Sequence, residues 1–455
     1  MVETYGCGGY YRDLRPLEQS LVATGAGTNY EGVGIGHDLP REFRSLQIHH
    51  IGIRLEQSPQ KGYCAIYNNF HPVVLLCSKN RTNIVSSCGK RNIFPIIFIN
   101  LHLARVSKSG AMEMNFLKRV LADDSNADGG YYFCDNTSTS KADVVVVSVP
   151  WSVTADYGRG ATYTPDAVID ATAKFGNYDA WSGISLEGRV ATAEIDYNIQ
   201  ELSEQLGRDA ERVAQIGEGG SFTGDYALRK VKSINEGFDK MHRSTYEQVQ
   251  RYAKQGKVVA VVGGDHSVSY GAVKALAECN KGLGVLFVDA HTDFAHEGEV
   301  FNFSHRTIAR NIIEDMPLVE RLVAVGVRES SRGESERVKG EPKVELYPAE
   351  SLAQARFEGK SWGELCREIV DRLPQKVYIS FDIDALKIEF CNNTNAPVPG
   401  GMTFDEAIYL INCVVASGRK IVGFDITEVV PDLKNTMDAT VAARLLAKMI
   451  VAAVK

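Results

Sequence analysis

The chain has 455 residues, 44% of them hydrophobic, a formal net charge of −7 and a pI near 5.9. Such a chain can hold one large α/β domain with an extension, or two domains, and has enough apolar residues for a sizeable core. The acidic balance argues against a nucleic-acid surface or an anionic membrane as partner.

Nine cysteines (Cys7, Cys64, Cys77, Cys88, Cys134, Cys279, Cys366, Cys391 and Cys413) are scattered without C-x-x-C spacing. That usage suits a reducing, cytoplasmic compartment rather than a disulfide framework. Glu3, Asp13 and Glu18 interrupt the start and no apolar stretch follows, so no secretory signal is expected. The run from Asn92 to Ala104 is too short for a span of roughly 20 residues and carries Pro95, Asn100 and His102. No membrane partner is expected.

Residues 1 to 110 show no clean alternation of strand and helix. Five of the ten histidines fall here (His37, His49, His50, His71 and His102), without metal-ligand spacing. An irregular N-terminal extension of unknown role is expected, with Met112 or Met114 as a point where the working protein can begin. The polar, turn-rich residues 121 to 142 are the candidate boundary.

From residue 140 to 455 strand and helix patterns alternate. Asp143 to Val149 reads as a buried strand, followed by the glycine-containing loop Ala155 to Ala161 and a helix with Thr164 as N-cap and Pro165 in its first position. A long polar-faced helix is expected over Tyr226 to Lys257, then the strand leading to Gly263 and Gly264, whose lack of a side chain allows close backbone approach. Helices are expected over Val268–Glu278, Arg306–Asp315, Trp362–Leu373 and Phe404–Ala416, and from about Asp438 to the end. Strands are expected at Val285–Val288, Leu322–Val327, Val344–Tyr347, Lys376–Asp382 and Ile421–Asp425. This alternation predicts an α/β fold, a mostly parallel sheet with helices on both faces.

Three apolar runs end in charged residues. The first leads into Gly263-Gly-Asp-His-Ser267, the second into Asp289-Ala-His-Thr-Asp293, and the third into Ser380-Phe-Asp-Ile-Asp384. Residues at i, i+2 and i+4 share one side of a strand, so Asp289, His291 and Asp293 converge if their strand extends that far. Such groups repel or desolvate one another unless a cation sits among them. Two histidines and four aspartates suit Mn²⁺ and its neighbours, and six ligands point to a metal pair with bridging carboxylates.

These motifs, with a fourth, Gly423-Phe-Asp-Ile-Thr-Glu-Val429, resemble in order those of the ureohydrolases, the family of arginase and agmatinase. The resemblance covers roughly residues 140 to 455. It implies a three-layer αβα fold with a roughly eight-stranded, mostly parallel sheet, a homo-oligomer (trimer or hexamer), and two Mn²⁺, with Ni²⁺ or another divalent metal as alternative. It implies one metal on His266, Asp289, Asp293 and Asp382, and the other on His291, Asp289, Asp382 and Asp384. By the same resemblance Glu428 pairs with the substrate's guanidinium, as a carboxylate can do bidentately. His305 is implied as proton shuttle, with His296 the alternative.

The implied reaction is cleavage of a guanidino C–N bond to release urea. Ala295 stands where arginase-type members have an asparagine that helps hold the α-carboxylate. Glu297 and Glu299 would attract an amine instead, and Phe294, Phe301 and Phe303 either shield an aliphatic stem or anchor the loop. Agmatine, hydrolysed to putrescine and urea, is therefore the expected substrate. The alternatives are an arginase, guanidinobutyrase, guanidine hydrolase or formimidoylglutamase, or a non-catalytic metal-binding regulator.

Three departures from the family pattern bear on rate and specificity. Lys387 stands where an acid is common, and Arg306 replaces the glycine after the loop histidine. Thr394-Asn-Ala-Pro397 replaces Thr-Gly-Thr-Pro, with Asn395 able to take the glycine's left-handed conformation. Lys387 and Arg306 would make the pocket less welcoming to a cation.

Overall fold

The computed structural model describes residues 130–455 except 156–158, 219–223, 297–299 and 433–434, together with six short strands between residues 45 and 99. The chain divides into two compact units, Met1–Gly110 and Ala111–Lys455. In the first, β1 (Ser45–Ile48), β2 (Ile53–Gln57), β3 (Cys64–Tyr67), β4 (Pro72–Ser78), β5 (Arg81–Ser86) and β6 (Phe98–Ile99) pair in sequence order as an antiparallel meander. An irregular extension was expected here. Strands of two to seven residues carry little periodicity of their own, and their identity resides in cross-strand pairing. The histidines of this segment, Met112, Met114 and residues 121 to 129 of the expected boundary lie outside the described residues.

The described residues of the second unit form ten strands: β7 (Val144–Val149), β8 (Tyr178–Asp179), β9 (Ile184–Ser185), β10 (Val190–Thr192), β11 (Val258–Gly263), β12 (Leu283–Val288), β13 (Val319–Val325), β14 (Val344–Tyr347), β15 (Lys376–Asp382) and β16 (Lys420–Thr427). Eight of them form one sheet in the order β10-β7-β11-β16-β15-β12-β13-β14, parallel at every pairing. β8 and β9 form a separate antiparallel hairpin. Among the described residues ten helices accompany these strands: α1 (Thr164–Thr172), α2 (Tyr197–Glu218), α3 (Asp225–Ala253), α4 (Ser269–Cys279), α5 (Ile308–Asp315), α6 (Arg332–Gly340), α7 (Ala349–Phe357), α8 (Trp362–Asp371), α9 (Phe404–Ala416) and α10 (Met437–Val454).

Alternate residues of each strand feed two cores. Val144, Val146, Ala260, Val262, Leu286 and Val288 pack with α1, α8, α9 and α10 on one face. Val145, Val147, Val259, Val261, Val285 and Phe287 pack with α2, α3, α4 and α5 on the other. Burial on both faces is why these strands read as continuous valine-rich runs rather than as alternating ones. The result is the three-layer αβα architecture, and no described helix is long and apolar enough to cross a membrane. Cys279, Cys366, Cys391 and Cys413 are free thiols.

One cap differs from expectation. The N-cap of α1 is Tyr163, and the Thr164 hydroxyl instead reaches the carbonyls of Ala161 and Val429, tying the helix to the segment after β16. Helices α2, α6 and α7 had no counterpart in the sequence pattern. The capping box of Ser331 and Glu334 was the legible sign of α6.

Every strand of the large sheet lies beyond residue 143. A protein beginning at Met112 is therefore expected to stay soluble and to unfold in one cooperative transition followed by circular dichroism. Aggregation, or loss of that transition, would show that residues 1 to 111 contribute to the fold.

Candidate metal centre

The acidic residues gather at the carboxyl ends of four adjacent strands, in the order β11, β16, β15 and β12. Open α/β sheets bind ligands on this side. Beyond β11 the chain passes so close to Trp151 that a Cβ on Gly264 would lie 1.6 Å from the Trp151 carbonyl oxygen. Only glycine fits there. The turn then delivers His266, fully buried, into the site.

Alternation along a strand is not what brings the aspartates together. β12 ends at Val288, so Asp289, His291 and Asp293 all belong to the following loop. Their convergence comes from a bridge between His291 and Glu329 and from a left-handed backbone at Asp293, φ 52°. Similarly, β15 ends at Asp382, and Asp384 sits in a short turn of helix.

Backbone amides orient three of the carboxylates. One oxygen of Asp289 accepts from His291 N at 2.6 Å, one of Asp382 from Asp384 N at 2.8 Å, and one of Asp384 from Ala290 N at 3.0 Å. The second oxygens face the imidazoles. His266 Nδ1 lies 2.9 Å from Asp289 Oδ2 and 3.3 Å from Oδ2 of both Asp293 and Asp382. His291 Nδ1 lies 3.0 Å from Asp384 Oδ2 and 3.5 Å from Asp289 Oδ1. Two compact donor sets result, His266–Asp289–Asp382 and Asp289–His291–Asp384, and they share Asp289.

This arrangement fits divalent cations. Bonds of about 2.1 Å place neighbouring ligands of one octahedral ion about 3 Å apart, close to the spacings above. His266 Nε2 is 2.9 Å from Ser380 Oγ, which in turn is 3.0 Å from Asp425 Oδ2. The single Ser380 proton goes to the carboxylate, so its oxygen accepts from Nε2–H and leaves the Nδ1 lone pair facing the aspartates. His266 Nδ1 and Asp289 Oδ2 are buried without a hydrogen-bond partner among the described residues. A lone pair turned toward carboxylates in a buried site requires a cation or a proton between them.

The pKa shifts express the same demand. Burial disfavours charge on His291, but Asp289 and Asp384 outweigh it and push its pKa up to about 12. His266 is likewise raised, against its burial, by Asp289, Asp293 and Asp382. Burial and the neighbouring charges of Asp384 and Asp289 hold Asp382 well above the usual carboxylate range. Burial and Asp289 raise Asp293 to about 6. A cation among these groups stabilises the ionised forms of the buried aspartates.

Above the cluster lies a narrow cleft, partly open to solvent, whose lining includes His266, His291, Asp293, Asp382 and Asp384. His305, Asn395, Ala396 and Glu428 complete the lining. Glu428 has a left-handed backbone, φ 65°, uncommon for a residue with a side chain and a form of strain that clusters at functional sites. Its Oε1 accepts from His266 N at 2.6 Å and its Oε2 from the Asn395 amide. Burial raises its pKa to about 7. His305 Nδ1 lies 3.3 Å from Thr154 Oγ1, whereas His296 is exposed and is not part of the lining.

Other sequence expectations fall outside the cleft. Lys387 is half-buried, 4.0 Å from Glu389, and Arg306 is exposed; neither lines the cleft, so neither weighs on a bound cation as expected. Phe294 is buried in the core, Phe301 packs against that core, and Phe303 meets the rings of Phe238, His242 and Tyr270, so these rings anchor the loop rather than shield a substrate. Glu297, Glu299 and residues 156–158 lie outside the described residues.

Two supports of the site had no counterpart among the sequence expectations. Asp425, fully buried, also accepts from Tyr378 OH at 2.7 Å and Phe381 N at 3.0 Å, which fixes the Ser380–His266 chain. Arg328 donates to the carbonyls of Asp384 at 2.7 Å, Val398 at 2.9 Å and Pro399 at 3.1 Å, clamping the Asp382–Asp384 turn to the loop that carries Asn395. Asp425 sits inside the fourth motif and Arg328 in the loop that follows β13, positions that hint at a role without specifying one.

Comparison with known proteins places this geometry. The profile of the arginase family matches residues 142–452. N(1)-aminopropylagmatine ureohydrolase of Thermus thermophilus is 28% identical over 308 residues, covering 68% of this chain and 89% of that protein. Agmatinase of Bacillus anthracis is 25% identical over 321 residues, covering 70% and 94%. Among solved structures, agmatine ureohydrolase of Thermoplasma volcanium superposes with a TM-score of 0.53 at 23% identity, over 74% of this chain and 97% of that one. The chain belongs to the arginase family of metal-dependent ureohydrolases.

Proposed function

We propose that the chain is an agmatinase-type enzyme that hydrolyses agmatine to putrescine and urea with two Mn²⁺ ions, working as a cytoplasmic homo-oligomer. The observation that carries the reading is the pair of histidine–aspartate sets sharing Asp289 beneath Glu428. Four aspartates balance the charge of two divalent ions, so the Glu428 carboxylate remains to pair with a guanidinium. When bound, such a metal pair supplies a nucleophile at neutral pH by lowering the pKa of water. His266, Asp289, Asp293 and Asp382 would hold one ion, and His291, Asp289, Asp382 and Asp384 the other.

The residues around them divide the remaining work. Glu428, pinned by His266 N and Asn395, aligns the guanidinium plane in the cleft. His305 lines the same cleft and carries a proton to the leaving amine, a transfer that an imidazole makes near neutral pH. With the aspartates neutralised by the two ions, Glu428 is the carboxylate of the lining that favours a cationic substrate. Ala295 is buried and has no side-chain donor for an α-carboxylate. The relatives named for agmatine and its aminopropyl derivative support the same substrate class.

Replacing a shared ligand tests the centre. Asp289→Ala is expected to abolish urea release and to lower bound manganese from two ions per chain to one or fewer, measured by elemental analysis. Full metal content with normal turnover would rule out the assignment.

For the substrate, kcat/KM for agmatine is expected to exceed that for arginine by tenfold or more under identical metal loading. The comparison should include 4-guanidinobutyrate and guanidine. Arginine in the lead would show that the loop after Asp293 recognises a carboxylate. Guanidine in the lead would show that the aliphatic amine contributes nothing to recognition.

A further inference from the structure

Asn395 stands where the ureohydrolases usually carry glycine, and the backbone does not explain it. The left-handed conformation that glycine or asparagine would serve is absent: the described side-chain-bearing residues with positive φ are Phe133, Cys134, Asp293 and Glu428. The side chain must therefore account for the residue. It is 2% exposed and lines the cleft. Its amide nitrogen donates to Glu428 Oε2, an orientation that is fixed because the reverse would set two oxygens against each other. Its Oδ1 is left buried without a hydrogen-bond partner among the described residues.

The surrounding chain holds Asn395 in place independently of that contact. Thr394 bridges to Val429, and Val430 N donates to Asn393 O at 2.8 Å. Asp438, in the first turn of α10, accepts from Asn392 N at 3.0 Å and Asn393 Nδ2 at 2.8 Å. A buried acceptor fixed this firmly beside Glu428 is an unmet hydrogen bond, a state that costs stability unless a ligand completes it.

We propose that Asn395 is a substrate-binding residue, its Oδ1 accepting one N–H of a planar guanidinium whose other N–H groups pair with Glu428. The inference rests on the hydrolase reading above and deepens it. Each Glu428 oxygen already accepts one protein N–H and keeps a second acceptor site for the substrate. The side chain of Ala396, alongside, has no polar atom, so Asn395 supplies side-chain recognition on this side of the cleft.

The test uses the full-length, manganese-loaded protein and two variants, Asn395→Gly, which restores the family residue, and Asn395→Leu, which keeps the volume without polarity. Steady-state kcat and KM for agmatine and guanidine, dissociation constants for guanidinium chloride by calorimetry, and metal content are measured for each. A hydrogen bond to a charged partner is worth about 1.5–3 kcal/mol, so KM and the guanidinium dissociation constant should rise roughly ten- to a hundredfold in both variants, with two metals retained. Values within about twofold of wild type in both variants would overturn the proposal, as would a change confined to Asn395→Gly, which indicates packing. Loss of metal would overturn it too, because Asn395 would then act on the centre rather than on substrate. Failure of the wild type to release urea from any guanidino compound would instead sink the hydrolase reading, and this inference with it.

Discussion

The centre depends on how the backbone divides the two oxygens of each aspartate. His291 N, Asp384 N and Ala290 N each hold one oxygen of Asp289, Asp382 and Asp384, so the other oxygen has no choice but to face His266 or His291. Carboxylates free to rotate would turn outward to water and separate their charges. Held as they are, with Asp289 wholly buried, they form a site that only positive charge can satisfy. The fold thereby stores an unfavourable electrostatic arrangement that metal binding relieves, which couples metal binding to stability as well as to chemistry.

The next layer keeps that geometry from relaxing. Asp425 receives Tyr378 OH, Ser380 Oγ and Phe381 N, and so fixes the proton on His266 Nε2. Arg328 gathers carbonyls from the Asp382–Asp384 turn and from the loop that carries Asn395. On the other side of His266, buried His242 has its Nε2 3.1 Å from Ser267 O and packs against Tyr270 and Phe303. One aromatic cluster thus ties the His266 turn to the loop that ends in His305. Burial lowers the pKa of His242 to about 3 and keeps it neutral, as suits a ring whose role is packing and one hydrogen bond.

Much of this was legible in the sequence because chemistry and burial leave local marks. A parallel strand covered on both faces is an unbroken apolar run, and the abrupt change to Asp289 or Asp382 marks its carboxyl end. The geometry of the loops was not legible. The left-handed turn at Asp293 and the absence of one at Asn395 depend on contacts with segments distant in sequence, Glu329 in one case and Val429 in the other. Phe301 and Phe303 read equally well as cleft or as core, and only their packing against the core, Phe303 on the rings of Phe238 and Tyr270, decides for core. Lys387 and Arg306 misled for the same reason, since proximity in sequence to a metal motif says nothing about the direction of a side chain. The strands β1 to β6 were hidden by their brevity.

The central claim is that two ions, not one, share Asp289. Anomalous diffraction from crystals of the manganese-loaded protein tests it most directly. Two peaks about 3.5–4 Å apart are expected, one beside His266 and one beside His291, with a carboxylate oxygen of Asp289 in contact with each. A single peak at saturating manganese, with His291 turned away from it, would contradict the account.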